Sequence, residues 1–326
     1  MTSPAVDPAP ETHPAASEPR TEGAGVPAAP ARRITGAVWA ALGIVYVVWG
    51  STYLGIRIVV ETLPPFLSGG ARFITAGLLL AAIVAWRQGP AALKVTRREL
   101  GSAVLVGLLL ILGGNGLVVL AETSIPSGLA ALLVAAVPVW VVLLRTAFGD
   151  RPGLGAFGGV LLGFAGLGVL TVPGLSGEVK IGGVVLVLVA ALCWSAGSVS
   201  SARLPMPANP FTASVYEMLA GGLAALTLGL VRGEHHGLDL GAVSGRSWVA
   251  LAYLVVFGSL VAFTAYAWLL QTAPVSLAAT YAYVNPVVAV LLGALVLNEA
   301  LTWPILLGGA IVVGGVCLIV STERRG

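Results

Sequence analysis

Two residues of opposite charge, Arg72 and Glu217, lie inside long apolar stretches of the sequence. A charge within a membrane-spanning helix costs about 2.5–3.5 kcal/mol on insertion scales, so it normally faces a partner or a wet cavity. Each residue lies seven positions after a proline, Pro65 or Pro210, which is about 10 Å of helical rise. A direct or water-bridged pair near the membrane midplane is therefore feasible. The pair would be a structural lock, or Glu217 would bind a proton or cationic substrate with Arg72 as its partner or as an anion anchor.

A second group of residues combines aromatic rings with hydrogen-bonding groups. Trp49 and Tyr53 share one face of the first apolar stretch, and Tyr281 and Asn285 are one turn apart in the ninth. A pocket for small molecules needs such a mixture, although helix packing and interfacial Trp and Tyr explain it equally well. Glu217 is also the candidate coupling residue. The candidate substrate-binding residues are Trp49, Thr52, Tyr53, Arg72, Asn115, Trp194, Ser198, Glu217, Tyr281 and Asn285.

The sequence lacks the motifs that several functional classes require. No Gly-x4-Gly-Lys-Ser/Thr loop is present, so ATP hydrolysis is not expected as the energy source. The histidines, His13, His235 and His236, lie outside the apolar stretches and have no acids or cysteines at ligand spacing. No basic patch interleaved with aromatic residues indicates nucleic-acid binding. We therefore expect neither an enzyme nor a bound cofactor, metal or nucleic acid.

Composition indicates a helical membrane protein. Apolar residues make up 57% of the chain and charged residues 10%, against roughly a quarter charged in soluble domains. The mean hydropathy is +0.97, and apolar runs of spanning length recur along the chain. They predict ten transmembrane helices near 35–59, 65–86, 101–121, 126–147, 154–172, 181–202, 210–231, 248–270, 275–297 and 302–321.

The positions of Lys and Arg predict the orientation of these spans. Residues 1–33 are rich in Ala, Pro, Glu and Thr and are expected to form a disordered tail, while 322–326 form a short C-terminal tail. With both termini cytoplasmic, only Lys180, Arg232 and Arg246 lie outside. The inside positions are Arg32, Arg33, Arg87, Lys94, Arg97, Arg98, Arg151, Arg203, Arg324 and Arg325.

The two halves of the chain repeat each other. Trp49 matches Trp194 and Pro65 matches Pro210 at an offset of 145, and Pro138 matches Pro286 at an offset of 148. Each half, residues 35–173 and 181–321, contains five predicted spans. Because five is odd, the second half enters the membrane from the opposite side, which predicts two inverted repeats and alternating access to a central site.

The sequence resembles the EamA family of the drug/metabolite transporter superfamily. The matching segments are Trp49-Gly50-Ser51-Thr52-Tyr53, Glu61-Thr62-Leu63-Pro64-Pro65, Arg72-Phe73, Ala121-Glu122, Ser127-Gly128, Val137-Pro138, Gly149-Asp150-Arg151, Ala278-Ala279, Pro286 and Asn298-Glu299. This resemblance covers about residues 35–321. It implies a ten-helix fold with a central cavity, and usually export of metabolites or toxic compounds.

Residues near span ends receive simpler interpretations. Glu122, Glu299 and Asp150 can be solvated there, which favours a peripheral position over the alternative of a direct role in transport, and the long side chain of Arg57 can reach the membrane interface. Thr264 and Tyr266 occupy places in the eighth span comparable to that of Asn115 in the third. Small-residue spacing at Gly155, Gly159 and Gly163, and at Gly308, Gly309, Gly314 and Gly315, predicts a seam between the fifth and tenth spans or a homodimer face.

These observations favour a transporter of the inner (plasma) membrane that moves a small metabolite or toxic organic molecule outward. Transport would be facilitated, or coupled to protons through Glu217. The partners are then the substrate, the lipid bilayer and the coupling proton. The alternative is a membrane sensor or assembly subunit with the same fold that transports nothing.

Overall fold

The computed structural model describes residues 35–149, 180–273, 275–279 and 281–323, with scattered residues between 155 and 169. These residues form helices and turns, and none of them is in a strand. The helices are α1 Gly36–Val59, α2 Pro65–Gln88, α3 Arg97–Ala121, α4 Ser127–Ala147, α5 Ile181–Ser201, α6 Pro210–Val231, α7 Gly245–Thr272, α8 Val275–Ala278, α9 Tyr281–Leu297 and α10 Trp303–Glu323.

Seven of these helices, α1 to α7, are long and apolar enough to cross a membrane. Two shorter apolar segments, Val284–Leu297 and Trp303–Gly315, correspond to the predicted ninth and tenth spans. The described residues of the predicted fifth span are helical. Several other residues of that span, together with Asp150 and Arg151 before it, lie outside the described residues. Both predicted tails lie outside them too, apart from residues 322 and 323.

Local sequence signals explain where several helices begin. Pro65 and Pro210 occupy the first positions of α2 and α6, where a missing N–H costs nothing. Thr96 and Glu99 form a capping box at α3: the Thr96 hydroxyl accepts from Glu99 N at 3.2 Å, and Glu99 Oε2 accepts from Thr96 N at 2.7 Å. Ser244 caps α7 by accepting a bond from the backbone N of residue 247 at 3.0 Å.

Two helices contain matching irregular segments. Residues Leu108–Gly116 of α3 and Leu254–Phe263 of α7 are π-helical. Such segments are rare and occur frequently at functional sites. In α4, a turn at Ala135 and Ala136 separates Ser127–Val134 from Val137–Ala147, immediately before Pro138, as expected where a proline cannot continue the helical hydrogen bonds.

Helices α2 and α6 cross closely at two glycines. A Cβ built on Gly77 would lie 3.1 Å from Leu219, and one built on Gly222 would lie 2.9 Å from the backbone N of Ile74. Gly77 matches Gly222, and Ile74 matches Leu219, at the repeat offset of 145. The absence of side chains at these glycines lets the two backbones approach.

Polar contacts join helix ends at two opposite ends of the bundle. We call the end that carries Val59 and Pro65 the outer face, following the predicted orientation, and the end that carries Gln88 the inner face. At the outer face, Glu234 Oε2 accepts from Phe66 N and Leu67 N, both at 3.0 Å. At the inner face, Asn209 Nδ2 donates to Gln88 Oε1 at 2.7 Å.

Large apolar side chains cover much of the outside of the helices. Trp86 is 78% exposed, Val249 72% and Leu295 78%, as expected for surfaces that contact lipid tails rather than water. The glycines of the fifth predicted span lie against α10: a Cβ on Gly315 would lie 2.7 Å from Gly163 N and 2.8 Å from Gly159 O. These glycines therefore form a seam within the chain.

Candidate functional site

Four aromatic rings meet in the middle of the bundle. Trp49 of α1 lies with its ring centroid 5.3 Å from Trp194 of α5, 4.9 Å from Tyr266 of α7 and 5.1 Å from Tyr281 of α9. Two of these contacts are edge-to-face, an arrangement that aromatic pairs prefer. Trp49 is thus the centre of a cluster, which we call the aromatic cluster, built from α1, α5, α7 and α9.

A cavity with about 590 Å³ of space between its atoms, including its open mouth, borders this cluster. Both π-helical segments contribute to its wall, through Gly114 and Asn115 of α3 and Gly258 and Phe263 of α7. The predicted residues that line it are Trp49, Thr52, Tyr53, Arg72, Asn115, Trp194, Tyr281 and Asn285. The remaining two predictions, Ser198 and Glu217, do not line it.

Hydrogen bonds fix several of the lining side chains. Trp49 Nε1 donates to the Gly258 carbonyl at 3.1 Å, which ties α1 to the π-helical part of α7. Thr52 Oγ1 donates to the Trp49 carbonyl at 2.7 Å. With its amide oriented as its neighbours require, Asn285 Nδ2 donates to the carbonyls of Tyr281 at 3.2 Å and Tyr46 at 3.0 Å. Side chains held in this way present a fixed surface to the cavity.

Arg72 is the cationic side chain of the cavity wall. It is 3% exposed, its Nε donates to Ser259 Oγ at 2.8 Å, and its guanidinium lies 4.6 Å from the Phe73 ring centroid. Its Nη1 has no hydrogen-bond partner. The acidic group that interacts with it electrostatically is Glu122.

Arg72 and Glu217, for which a direct or water-bridged pair was feasible, do not form a direct ion pair among the described residues, and Arg72 Nη1 and Glu217 Oε2 have no hydrogen-bond partner. Phe73 and Met218, which match at the repeat offset, lie at the α2–α6 crossing. Arg72 precedes Phe73 and Glu217 precedes Met218, and the side chains of neighbouring residues in a helix point about 100° apart around its axis. Arg72 accordingly turns to Ser259 of α7, and Glu217 does not meet it.

Glu217 lies in a layer behind the aromatic cluster. It is 2% exposed, and its Oε2 has no hydrogen-bond partner. It interacts electrostatically with Tyr266, whose hydroxyl lies 2.8 Å from Ser198 Oγ and accepts from Trp194 Nε1 at 3.2 Å. Ser198 and Glu217 are thus connected to the cavity through Tyr266.

Tyr266 contacts Trp49 and Tyr281 but was not among the candidate residues, since only its repeat position pointed to it. Ser259, the partner of Arg72, was missed completely. A small serine in an apolar run gives no signal of its own; the repeat offset was the one available guide to Tyr266.

The expectation that Glu122 is solvated is wrong. Glu122 is 0% exposed, and neither of its carboxyl oxygens has a hydrogen-bond partner. The turn that carries it packs under the start of α5, where a Cβ on Gly183 would meet Ser124 and Ile125. Arg57 does not simply extend to the interface, because its Nη1 donates to the Glu122 backbone carbonyl.

Glu299 is not freely solvated either, because it caps α4. Its Oε1 accepts from Ser127 N at 3.0 Å and from Ser127 Oγ at 2.9 Å, and its Oε2 accepts from Gly128 N at 3.2 Å. A carboxylate at the N-terminus of a helix satisfies free N–H groups and complements the helix dipole. This contact, which we call the Glu299 cap, joins the segment after α9 to the start of α4.

Comparison with known families identifies the class of protein. The sequence pattern of the EamA-like transporter family matches residues 34–172 and 181–321. The chain belongs to the EamA-like transporter family. It is 40% identical over 258 residues to an Escherichia coli protein named "Uncharacterized inner membrane transporter YedA", covering 78% of this chain and 81% of that one. Among the described residues, no group of three or more His, Cys, Asp or Glu could hold a metal.

Two more distant comparisons align over most of both chains. A Bacillus subtilis protein named "Uncharacterized transporter YvbV" is 26% identical over 286 residues, covering 87% of this chain and 91% of that one. A solved crystal structure aligns with a TM-score of 0.65 at 20% identity, covering 90% of this chain and 99% of the other. At that identity the likeness concerns the fold alone.

Proposed function

We propose that this EamA-like protein is a transporter of the inner membrane that exports a small organic molecule by alternating access of two inverted five-helix repeats. The observation that carries the proposal is the aromatic cluster beside the cavity. Its two tryptophans, Trp49 and Trp194, are repeat partners and lie 5.3 Å apart. A site built from equivalent positions of both halves is what alternating access requires, because each half must be able to expose it.

Three features support the inverted repeat. The crossing of α2 and α6 is reciprocal, since Gly77 meets Leu219 and Gly222 meets Ile74. The π-helical segments lie at matching places in α3 and α7. The family pattern also matches the chain twice, at 34–172 and 181–321.

The orientation of the helices and the direction of transport are argued from the sequence. The excess of Lys and Arg in loops of one side supports cytoplasmic termini. Outward transport follows from the resemblance to exporters. A homodimer stays a prediction, and the glycines that suggested it are used within the chain at the seam with α10.

We propose Glu217 as the coupling residue, acting through Tyr266. A buried carboxyl group with an unpartnered Oε2 can hold a proton, and its charge interacts with the Tyr266 hydroxyl. Tyr266 in turn contacts Trp49 in the cavity wall. Protonation of Glu217 would thus change the polarity of the layer that supports the aromatic cluster.

The test is flux from proteoliposomes loaded with a mixed pool of amino acids and amphipathic cations, followed by mass spectrometry with and without a pH gradient. Trp49→Ala removes the central ring of the aromatic cluster and its hydrogen bond to the Gly258 carbonyl, so we expect flux of the transported class to be lost in protein that still folds. Trp86→Ala is the matched control, because Trp86 is 78% exposed on the outside of α2. Glu217→Gln should remove the pH dependence while flux persists.

The rival function, a non-transporting sensor or assembly subunit, predicts a different result. In that case the folded wild type would bind a compound of the pool without moving any. Equal flux in the Trp49 and Trp86 variants would contradict the cavity as the transport site.

A further inference from the structure

Glu122 occupies the turn after α3 at the outer face, and the proposed coupling through Glu217 does not use it. Its carboxyl group is buried, and neither oxygen has a hydrogen-bond partner. Arg57 Nη1 donates to the backbone carbonyl of Glu122 and leaves the carboxyl group alone. An ionised carboxylate without donors is strongly unfavourable in such a place. The arrangement therefore suits a carboxyl group that carries its proton.

Charged and titratable groups face Glu122 from the neighbouring segments. The electrostatic partners are Arg57 and Tyr53 of α1, Arg72 of α2, and Glu299 after α9. The arginines favour the ionised form, whereas Glu299 opposes it. A metal cation would need several oxygen ligands and would be repelled by the two arginines. The ligand that fits this mixture is a proton.

A groove at the outer face gives water a route to this region. It is lined by Arg57 and Glu299, both electrostatic partners of Glu122, and by Thr123 and Ser124 of the same turn. The exposed residues Lys180 and Glu61 complete its charged lining. Glu122 itself does not line the groove, so a proton that leaves it reaches this water only after a local movement of the turn.

The Glu299 cap lies beside this carboxyl group and joins different parts of the chain. Glu299 belongs to the second matched segment, whereas Ser127 and Gly128, which donate to it, belong to the first. The cap thus ties the outer ends of the two proposed repeats together. Opening of the outer face would have to break or shift it.

We propose that Glu122 is a proton-binding site that controls the Glu299 cap. While Glu122 is neutral, it adds no negative charge against Glu299, and the cap holds α4 against the end of α9. When the proton leaves to water, the ionised carboxyl group repels Glu299 and requires donors that the closed arrangement lacks. The start of α4 then separates from α9, and water enters the outer face. This inference rests on the proposed alternating access of the two repeats.

The test measures opening directly, in proteoliposomes without substrate. Cys193 and Cys317 are first replaced by alanine. Ile56, which is 3% exposed, lines the cavity and precedes Arg57 in the chain, is then replaced by cysteine. A membrane-impermeant maleimide added outside reports its accessibility. The population of a minor open state starts at about 0.1–10% and can rise about tenfold. We therefore expect labelling of the cysteine at position 56 to increase by about that factor from acidic to alkaline pH.

Variants separate this mechanism from general effects of pH. Glu122→Gln imitates the neutral carboxyl group, so labelling should stay low at every pH. Glu299→Gln removes the repelled charge and should reduce the alkaline increase. Glu61→Gln, at an exposed carboxyl group of the same groove, is the matched control and should keep the full increase. A full alkaline increase in the Glu122 variant, or its loss in the Glu61 variant, overturns the proposal.

A second measurement covers the case in which Glu122→Gln does not fold. Infrared difference spectra of the wild type should show the carbonyl stretch of a buried protonated carboxyl group that disappears at alkaline pH as labelling rises. Absence of that band in the closed state overturns the proposal. Flux of substrate with pH-independent labelling would refute this inference alone, whereas pH-dependent labelling without flux of any compound would refute transport.

Discussion

Gly69 and Gly70 are adjacent in α2, yet a methyl group would meet different surroundings at the two positions. A Cβ built on Gly70 would lie 2.6 Å from the backbone N and 2.8 Å from the Cα of Leu226 in α6, whereas one built on Gly69 has nothing within 4 Å. Backbone atoms of a packed helix cannot rotate away as a side chain can. Gly70→Ala must therefore push α2 and α6 apart, and Gly69→Ala must not.

The magnitude follows from two opposing effects. Replacing glycine by alanine within a helix favours the helix by about 1 kcal/mol, and both variants share this gain. Overpacking adds a cost of about 1–3 kcal/mol to Gly70→Ala only. We expect Gly69→Ala to be neutral or slightly stabilised, and Gly70→Ala to be less stable than Gly69→Ala by about 1–3 kcal/mol.

The assay is thermal unfolding of the two purified variants in the same detergent, followed by the loss of monodisperse protein in size exclusion. For domains of about 150–250 residues, 1 kcal/mol shifts the midpoint by about 2–4 °C. The expected separation between the variants is therefore about 2–12 °C. If Gly70→Ala melts with or above Gly69→Ala, the close α2–α6 crossing described here is wrong.

Two further perturbations test the outer face and the buried charges. Glu299→Ala removes the cap of α4 and should lower the stability measured by thermal unfolding by about 1–2 kcal/mol. The control Glu61→Ala, at an exposed position, should leave the unfolding midpoint unchanged. Equal midpoints for the two variants would contradict the cap. The double variant Arg72→Glu/Glu217→Arg should lose about 3–5 kcal/mol of stability and give less folded protein, because each new charge is buried without a partner. Wild-type stability and transport in that double variant would instead indicate a structural ion pair.

Helical periodicity and the repeat were enough to predict eight of the seventeen residues that line the cavity. Trp49 and Tyr53 share a helical face in the sequence, and both line the cavity. Trp194 followed from Trp49 by the offset of 145. These predictions depend on position along and around a single helix, which the sequence contains.

The predictions that failed depend on which helices are neighbours. The rise from Pro65 gives the depth of Arg72 but not its direction, which the α2–α6 crossing turns toward Ser259. The position of Glu122 at a span end suggested water, but the burial of its turn depends on the start of α5, which is distant in sequence. A contact of this kind has no local signature.

The close contact between α2 and α6 is a line rather than a point, since a Cβ on Gly70 would meet the backbone of Leu226 and one on Gly77 would meet Leu219. These two positions are seven residues apart, which is about 10 Å along α2. Two helices that touch along such a line cannot tilt against each other without losing one of the contacts, so α2 and α6 are expected to move as one body. The polar contacts at the two ends of this pair, Glu234 with Phe66 N and Asn209 with Gln88, are therefore expected to persist while other helices of the bundle move around it.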